Sequence, residues 1–390
     1  MLESVIDLAS VRQELPSVTS HIYMNAASFG PLLRCVPRAM DAWLQKECVE
    51  GRPGMATFET MGKLYTEARG YLARLLNARI DEIALTGDTG EGMNIVCHGL
   101  KWLPGDEVII TDHEHISVII LLHYLRDRYG ITIRVAELGP GAELPAEEAI
   151  ARQITPRTRL VVLSHISFMT GAVLDVRAVA ELAHRSEIPV LVDGAQSAGV
   201  IPIDVKELDI DFYALPMQKW LCGPDGTGAL YVRSELLEQL QLSYVGGWFS
   251  LLHKESGGWG FQNSAQRFEL GGRHTAAVAG QIASLRWLEE TATHRWVFKR
   301  ISDLNSFVYA AIKDIAGARV LTPHPGASGL LTFTLDGSNA CPIESWLQHE
   351  HGIYTRAISE CNALRISTGF YNTEEEVDRL AQALRTWQNV

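Results

Sequence analysis

The chain has 390 residues, 47% of them apolar and 21% charged, a balance that builds one large core or two moderate ones and excludes a disordered chain. Its 34 basic and 46 acidic residues give a net charge of −12, so no overall basic surface exists to neutralise a phosphate backbone or an anionic bilayer. Nucleic acid and membrane partners are therefore disfavoured, and no apolar run reaches the roughly 18 residues that span a bilayer.

The opening, MLESVIDLASVRQEL, carries acids where a secretory signal would have a basic end and an apolar run, so a cytoplasmic location is expected. A long amphipathic helix is predicted over FETMGKLYTEARGYLARLLN (58–77). In LTGDTGEGMNIVCHGL (85–100), a polar, glycine-bearing turn from Thr86 to Gly92 opens onto another helix. Strands are predicted at EVIITD (107–112), ITIRVAEL (131–138), RLVVLSHIS (159–167), IPVLVDGA (188–195), DFYALP (211–216) and GALYVR (228–233). Between them lie helices at ISVIILLHYLRDRYG, stopped by Gly130, at LPAEEAIARQI, and at DVRAVAELAHRSE, opened by Asp175 as N-cap. This alternation argues for an α/β chain with a mostly parallel, buried sheet.

Beyond VGGWFS (245–250) strong strands become fewer; GLLTFTLD (329–336) is the main one, between RHTAAVAGQIASLRWLEETA and the closing helix EEEVDRLAQALRTW. The expected organisation is an N-terminal arm (1–20), a large domain (21–250) and a smaller α+β domain (251–390). The six cysteines, Cys35, Cys48, Cys97, Cys222, Cys341 and Cys361, form no CxxC pair and no zinc-type cluster, as expected in a reducing compartment without a structural metal.

In open α/β sheets, reactive groups collect where strands end at their carboxyl edge. Asp193 directly follows the run IPVLV, with Gly194, Ala195 and Ser197 behind it. Buried there, it needs a cation as partner, unless it simply caps the next helix. Lys219 follows another strand. Lys46, Lys63, Lys101, Lys206, Lys254, Lys299 and Lys313 sit among polar or helical surface residues, whereas Lys219 lies between a buried strand and Trp220-Leu221. An amine in apolar surroundings loses proton affinity and forms Schiff bases with carbonyls; the plain alternative is a snorkelling lysine. The Thr86–Gly92 turn offers free N–H groups to a phosphate, or holds Asp88 as an ordinary N-cap. His115 stands at a further carboxyl edge. Arg356 and Arg365, in YTRAISECNALRIS, offer forked donors to carboxylates or form ordinary ion pairs.

Taken together, TGDTGEGMN, EHIS, VDGAQS, QKWLCGPDGTGALYV and RISTGFYNTEEEVDRL resemble the fold type I pyridoxal phosphate (PLP) enzymes of aminotransferase class V, over nearly the whole chain. The similarity is greatest to cystine/cysteine carbon–sulfur lyases and isopenicillin N epimerase-like proteins. The resemblance implies a large domain with a mostly parallel seven-stranded sheet, a smaller C-terminal domain, and a homodimer with sites near the subunit interface.

By the same resemblance, Lys219 is the Schiff-base lysine, Asp193 the partner of the pyridine nitrogen, His115 the ring-stacking histidine and Gln196 the donor to the phenolic oxygen. Thr89 and the amide of Gly90 match the phosphate cup, with Gln218 a remaining donor. Arg365 matches the clamp for the substrate α-carboxylate. IYMNAASFGP, with Ala26 and Phe29, resembles the segment that lines the substrate site. Arg356 suits a second carboxylate, and Trp248 and Phe249 are expected to line an apolar pocket with Phe29.

Three departures stand out: Pro216-Met217-Gln218-Lys219 replaces the family's Ser-x-His-Lys, Phe168 and Met169 stand where an asparagine is common, and Gly272 where a threonine is. The implied activity is β-elimination from cysteine, cystine or a cysteine S-conjugate, giving a thiol or persulfide, pyruvate and ammonia. Cysteine desulfuration, transamination and epimerisation are the enzymatic alternatives, and a cofactor-free binding protein the alternative of another class. Cys361 stands only three residues before Arg365, too short a spacing for a mobile sulfur-accepting loop, and is expected to be a bystander.

Overall fold

The computed structural model describes residues 6–253 and 257–387, so residues 1–5 of the expected arm and Lys254 lie outside the described residues. Seven strands form the main sheet: β1 (Ile83–Thr86), β2 (Glu107–Thr111), β3 (Thr132–Ala136), β4 (Thr158–Ser164), β5 (Val190–Asp193), β6 (Phe212–Pro216) and β7 (Gly228–Val232). Their spatial order is β1-β7-β6-β5-β4-β2-β3. The pairs from β6 to β3 are parallel, while β7 runs antiparallel to both β1 and β6. Six of the seven match the predicted strands. The seventh, β1, is legible only as the start of a turn, because its apolar run of three residues is too short to show a period.

Both faces of the sheet are covered except at the edge strand β3, which is why its inner strands read as largely apolar runs. On one face, Leu72 and Leu76 of the helix Gly54–Leu76 and Val179 and Ala183 of the helix Val176–His184 pack on Val161, Val190 and Val192. On the other, Met93 and Val96 of the helix Thr89–Gly99 and Leu122 and Leu125 of the helix Ile116–Tyr129 pack on Val108, Val162 and Leu191. Burying each such side chain contributes about 1.5–3 kcal/mol. The helix ends follow from local chemistry. Asp88 and Asp175 accept backbone N–H bonds as N-caps, and Gly130 closes its helix in the left-handed conformation at φ 69°.

The helical cover continues past residue 250: Val278, Ile282, Val297 and Ile301 bury in the same cluster as the first face. A four-stranded antiparallel sheet follows, ordered Ala318–Val320, Leu330–Leu335, Ala363–Ser367, Arg356–Ile358. Leu331, Phe333 and Ile366 of this sheet pack on Leu380 and Leu384 of the closing helix Glu374–Trp387, together with Ile22 and Met24 from near the N-terminus. GLLTFTLD is thus one strand of four and the longest of them. The others are short, and the flanking arginines mask their alternation.

Two close approaches position the chemistry. The Gly30 N–H donates to Gln218 O at 2.7 Å, and a Cβ at Gly30 would stand 1.8 Å from the Lys219 carbonyl oxygen. A Cβ at Gly194 would stand 2.1 Å from the Tyr213 ring. Only glycine lets these loops lie against each other. A buried ion pair, Arg69–Glu269 at 2.7 Å, clamps the sheet edge, since Glu269 also accepts the Leu85 N–H at 2.8 Å.

Candidate active site

The carboxyl ends of β1, β2, β4, β5 and β6 open into one cavity of about 570 Å³. Thr89, Gly90, His115, Asp193, Gln196, Gln218, Lys219, Arg356, Arg365 and Phe29 all line it. They come from segments far apart in the chain, so the fold gathers what the sequence only suggested one motif at a time.

Lys219 lies three residues beyond β6. Burial lowers its amine to about 8; Asp193 pulls the other way and the charge of Arg365 adds to the lowering. Asp193, the last residue of β5, is buried, and its Oδ1 accepts the Ala195 N–H at 2.8 Å. His115 caps the helix Ile116–Tyr129, its Nδ1 within 2.6 Å of Ser117 Oγ and its ring edge-on to Phe168 at 5.2 Å. Burial, and then Lys219, lower its proton affinity, which favours the neutral imidazole.

Gln196 joins two strand-end loops: its Nε2 donates to Ala27 O at 3.0 Å and its Oε1 accepts the Trp220 Nε1–H at 2.9 Å. One amide hydrogen therefore remains for a ligand. Arg365 is buried in the strand Ala363–Ser367, donating to Phe168 O at 2.8 Å and to Ser28 Oγ at 3.1 Å. Burial, then the neighbouring charge of Arg356, brings it down to about 10. Arg356 pairs with Arg365 across the two strands but is exposed at the mouth.

At the opposite end, Asp88 accepts the Glu91 N–H, which leaves the amides of Thr89 and Gly90 in the unbonded first turn of their helix. Thr89 Oγ1 and Gln218 Oε1 are buried there without a hydrogen-bond partner among the described residues, and so is Arg365 Nε at the far side. Such groups cost free energy until something binds them. The set fits a flat, phosphorylated aldehyde cofactor: an anion cup, a carboxylate facing a ring nitrogen, and an amine of low proton affinity.

Two expectations are corrected. Ala26 does not line the cavity; it is buried and its N–H bonds Ser367 O, while Ala27 and Ser28 take the lining place. The one-residue offset follows from the parallel pairing of Ile22 and Tyr23 with Ile353 and Tyr354. Trp248 and Phe249 also lie elsewhere, Trp248 against Phe58 at 5.5 Å and Phe249 against Tyr65 at 5.2 Å. The lining residues that sequence reasoning missed include Ser28, Ser164, Ile116 and Glu360. Ser164 lies inside the predicted strand RLVVLSHIS and ends the observed one, which made it the most findable of them. Cys361, in the turn Ser359–Cys361, does not line the cavity, although Ser359 and Glu360 do.

A family model described as Aminotransferase class-V matches residues 22–380. The cysteine desulfurase CsdA of Escherichia coli is 31% identical over 98% of this chain and 98% of its own length. A probable cysteine desulfurase of Methanothermobacter thermautotrophicus is 29% identical over 96% of each chain. Among solved structures, the cystine C–S lyase C-DES in complex with its reaction product cysteine persulfide superposes with a TM-score of 0.90 at 29% identity, covering 95% of this chain and 99% of that one. A variant of C-DES with glycine covalently linked to the PLP cofactor gives 0.91 at 29% identity, covering 96% and 98%.

Proposed function

The chain belongs to the aminotransferase class-V family, and from that premise we propose that it is a PLP-dependent carbon–sulfur lyase acting on cysteine, cystine or a cysteine S-conjugate. One observation carries the reading: the low-affinity amine of Lys219 shares a cavity with Asp193 and with the buried, forked Arg365.

When bound, PLP supplies an aldehyde that takes up an amine and a ring that draws electrons from the carbon next to it. Thr89 Oγ1, the Thr89 and Gly90 amides and the Gln218 amide would hold the phosphate end. Asp193 would pair with the ring nitrogen, His115 would stack on the ring and Gln196 would donate its free amide hydrogen to the phenolic oxygen. Arg365 grips the α-carboxylate and so fixes the Cα–H bond toward Lys219. Lys219 Nζ, largely able to shed its proton near pH 8, takes the proton from Cα. The Cβ–S bond then breaks with its electron pair on sulfur. With cystine and one water, the products are cysteine persulfide, pyruvate and ammonia.

The test is pyruvate release from L-cystine by the PLP-loaded protein, together with borohydride fixation of the cofactor on Lys219. Absence of both leaves a binding protein without this chemistry. A second reading, desulfuration, is favoured by the names of the relatives and needs a cysteine to receive sulfur. Cys361 is half-buried in a tight turn outside the cavity lining, and burial raises its thiol, which supports direct elimination.

We also propose a cytoplasmic homodimer of two-domain subunits. The exposed apolar side chains Met55, Phe58, Val245 and Trp248 support a subunit contact. Six free cysteines, and the lack among the described residues of a helix long and apolar enough to cross a membrane, are compatible with the location. The four-stranded sheet and the closing helix would make up most of the smaller domain.

A further inference from the structure

Glu114 immediately precedes His115, yet it is not a lining residue of the cavity: it is buried behind the floor. Two hydroxyls bind its carboxyl, Thr111 Oγ1 at 2.5 Å on Oε1 and Ser164 Oγ at 2.7 Å on Oε2. Ser164 does line the cavity, and it pairs with Asp193 in the parallel register of β4 and β5. Paired residues of parallel strands project from the same face, so the Ser164 hydroxyl stands beside the Asp193 carboxylate.

A serine hydroxyl has one proton to give. If Glu114 is a carboxylate, that proton points back to it and the floor of the cavity loses a donor. If Glu114 is an acid with its proton on Oε2, that O–H donates to Ser164 Oγ and the Ser164 proton is released toward the cavity.

We propose that Glu114 is a positioning residue that works as a protonated acid, directing the Ser164 hydroxyl into the cavity beside Asp193. The proposal deepens the PLP-lyase reading and rests on it. Burial raises Glu114 to about 7, and the charge of Asp193 adds to the rise, while the two hydroxyl bonds oppose it. The titratable groups around this layer are Asp193 on β5, Lys219 beyond β6, His165 beyond β4, and Asp112, His113 and His115 on the loop of Glu114 itself. His113 is tied to Ser167 Oγ and Gly139 O, and His165 to the Tyr213 hydroxyl.

The experiment combines infrared and visible spectra of the PLP-loaded protein between pH 5.5 and 8.5, on the parent, E114Q and S164A. The parent is expected to show a carboxylic-acid carbonyl band that bleaches with a midpoint near 7, and a matching change in cofactor absorbance. E114Q should lack both. S164A should keep the band with its midpoint raised by about one pH unit, the size of a lost hydrogen bond to a charged group, and lose the absorbance change.

A band that survives in E114Q, or no acid band in the parent, overturns the proposal. An absorbance change that survives in S164A overturns the route through Ser164. If E114Q does not fold, S164A alone decides by the same two readouts. A parent that takes up no PLP sinks the lyase reading instead, and the infrared band of the unloaded chain still reports whether Glu114 holds a proton.

Discussion

The lowered amine of Lys219 makes a quantitative demand. With Lys219 at about 8, roughly a quarter of the amine is neutral at pH 7.5, against roughly one part in a thousand for an ordinary lysine. Reaction with an aldehyde is therefore expected to be about 200-fold faster at Lys219 than at a solvated amine of equal access. Lys299 is the internal reference: it is 74% exposed and pairs with Asp303 at 2.6 Å. The unloaded protein is labelled with an aldehyde and cyanoborohydride across pH 6–11, and each lysine is quantified by peptide mapping. Lys219 should titrate near 8 and be labelled well ahead of the exposed Lys299 at neutral pH. Because Asp193 raises the amine and Arg365 lowers it, Asp193→Asn should move the midpoint down and Arg365→Gln move it up, each by about half to one pH unit. A Lys219 midpoint at or above 10, or shifts of the opposite sign, refutes the electrostatic reasoning.

Three further outcomes are expected. Gly30→Ala forces a Cβ against the Lys219 carbonyl, which has no flexible end to yield; a loss of about 3 kcal/mol or more in thermal or urea unfolding should accompany weaker borohydride trapping of cofactor at Lys219. Arg365→Gln removes the forked donor and leaves Phe168 O short of its partner; kcat/KM should fall about 100-fold, mostly through KM, and Arg365→Lys should not restore it, because the point charge lacks the fork. Cys361→Ser should leave pyruvate release from L-cystine within about twofold of the parent, since the thiol makes no contact with the cavity; abolished sulfur release would establish the desulfurase route.

Much of this site can be read along the chain. Asp193, Lys219, Thr89 and His115 each sit one to four residues past an apolar run or at a helix start, and such positions are set by local pattern and capping chemistry. The six strong strands and the caps at Asp175 and Gly130 have the same origin. Whether those strand ends face one cavity depends on strand order, and the antiparallel placement of β7 between β1 and β6 is not announced by any run of residues.

The remaining features come from contacts between distant segments. Ala27 rather than Ala26 meets the cavity because the N-terminal segment pairs with Ile353–Tyr354, and a register cannot be read from one strand. Trp248 and Phe249 look like pocket walls until Phe58 and Tyr65 take them. Glu114, in the polar stretch TDHEHIS, looks like a surface acid, yet hydroxyls from β2 and β4 enclose it. Periodicity and caps act over a few residues and are written in order. Burial and proton affinity depend on what the fold brings from elsewhere, and only the packed chain decides them.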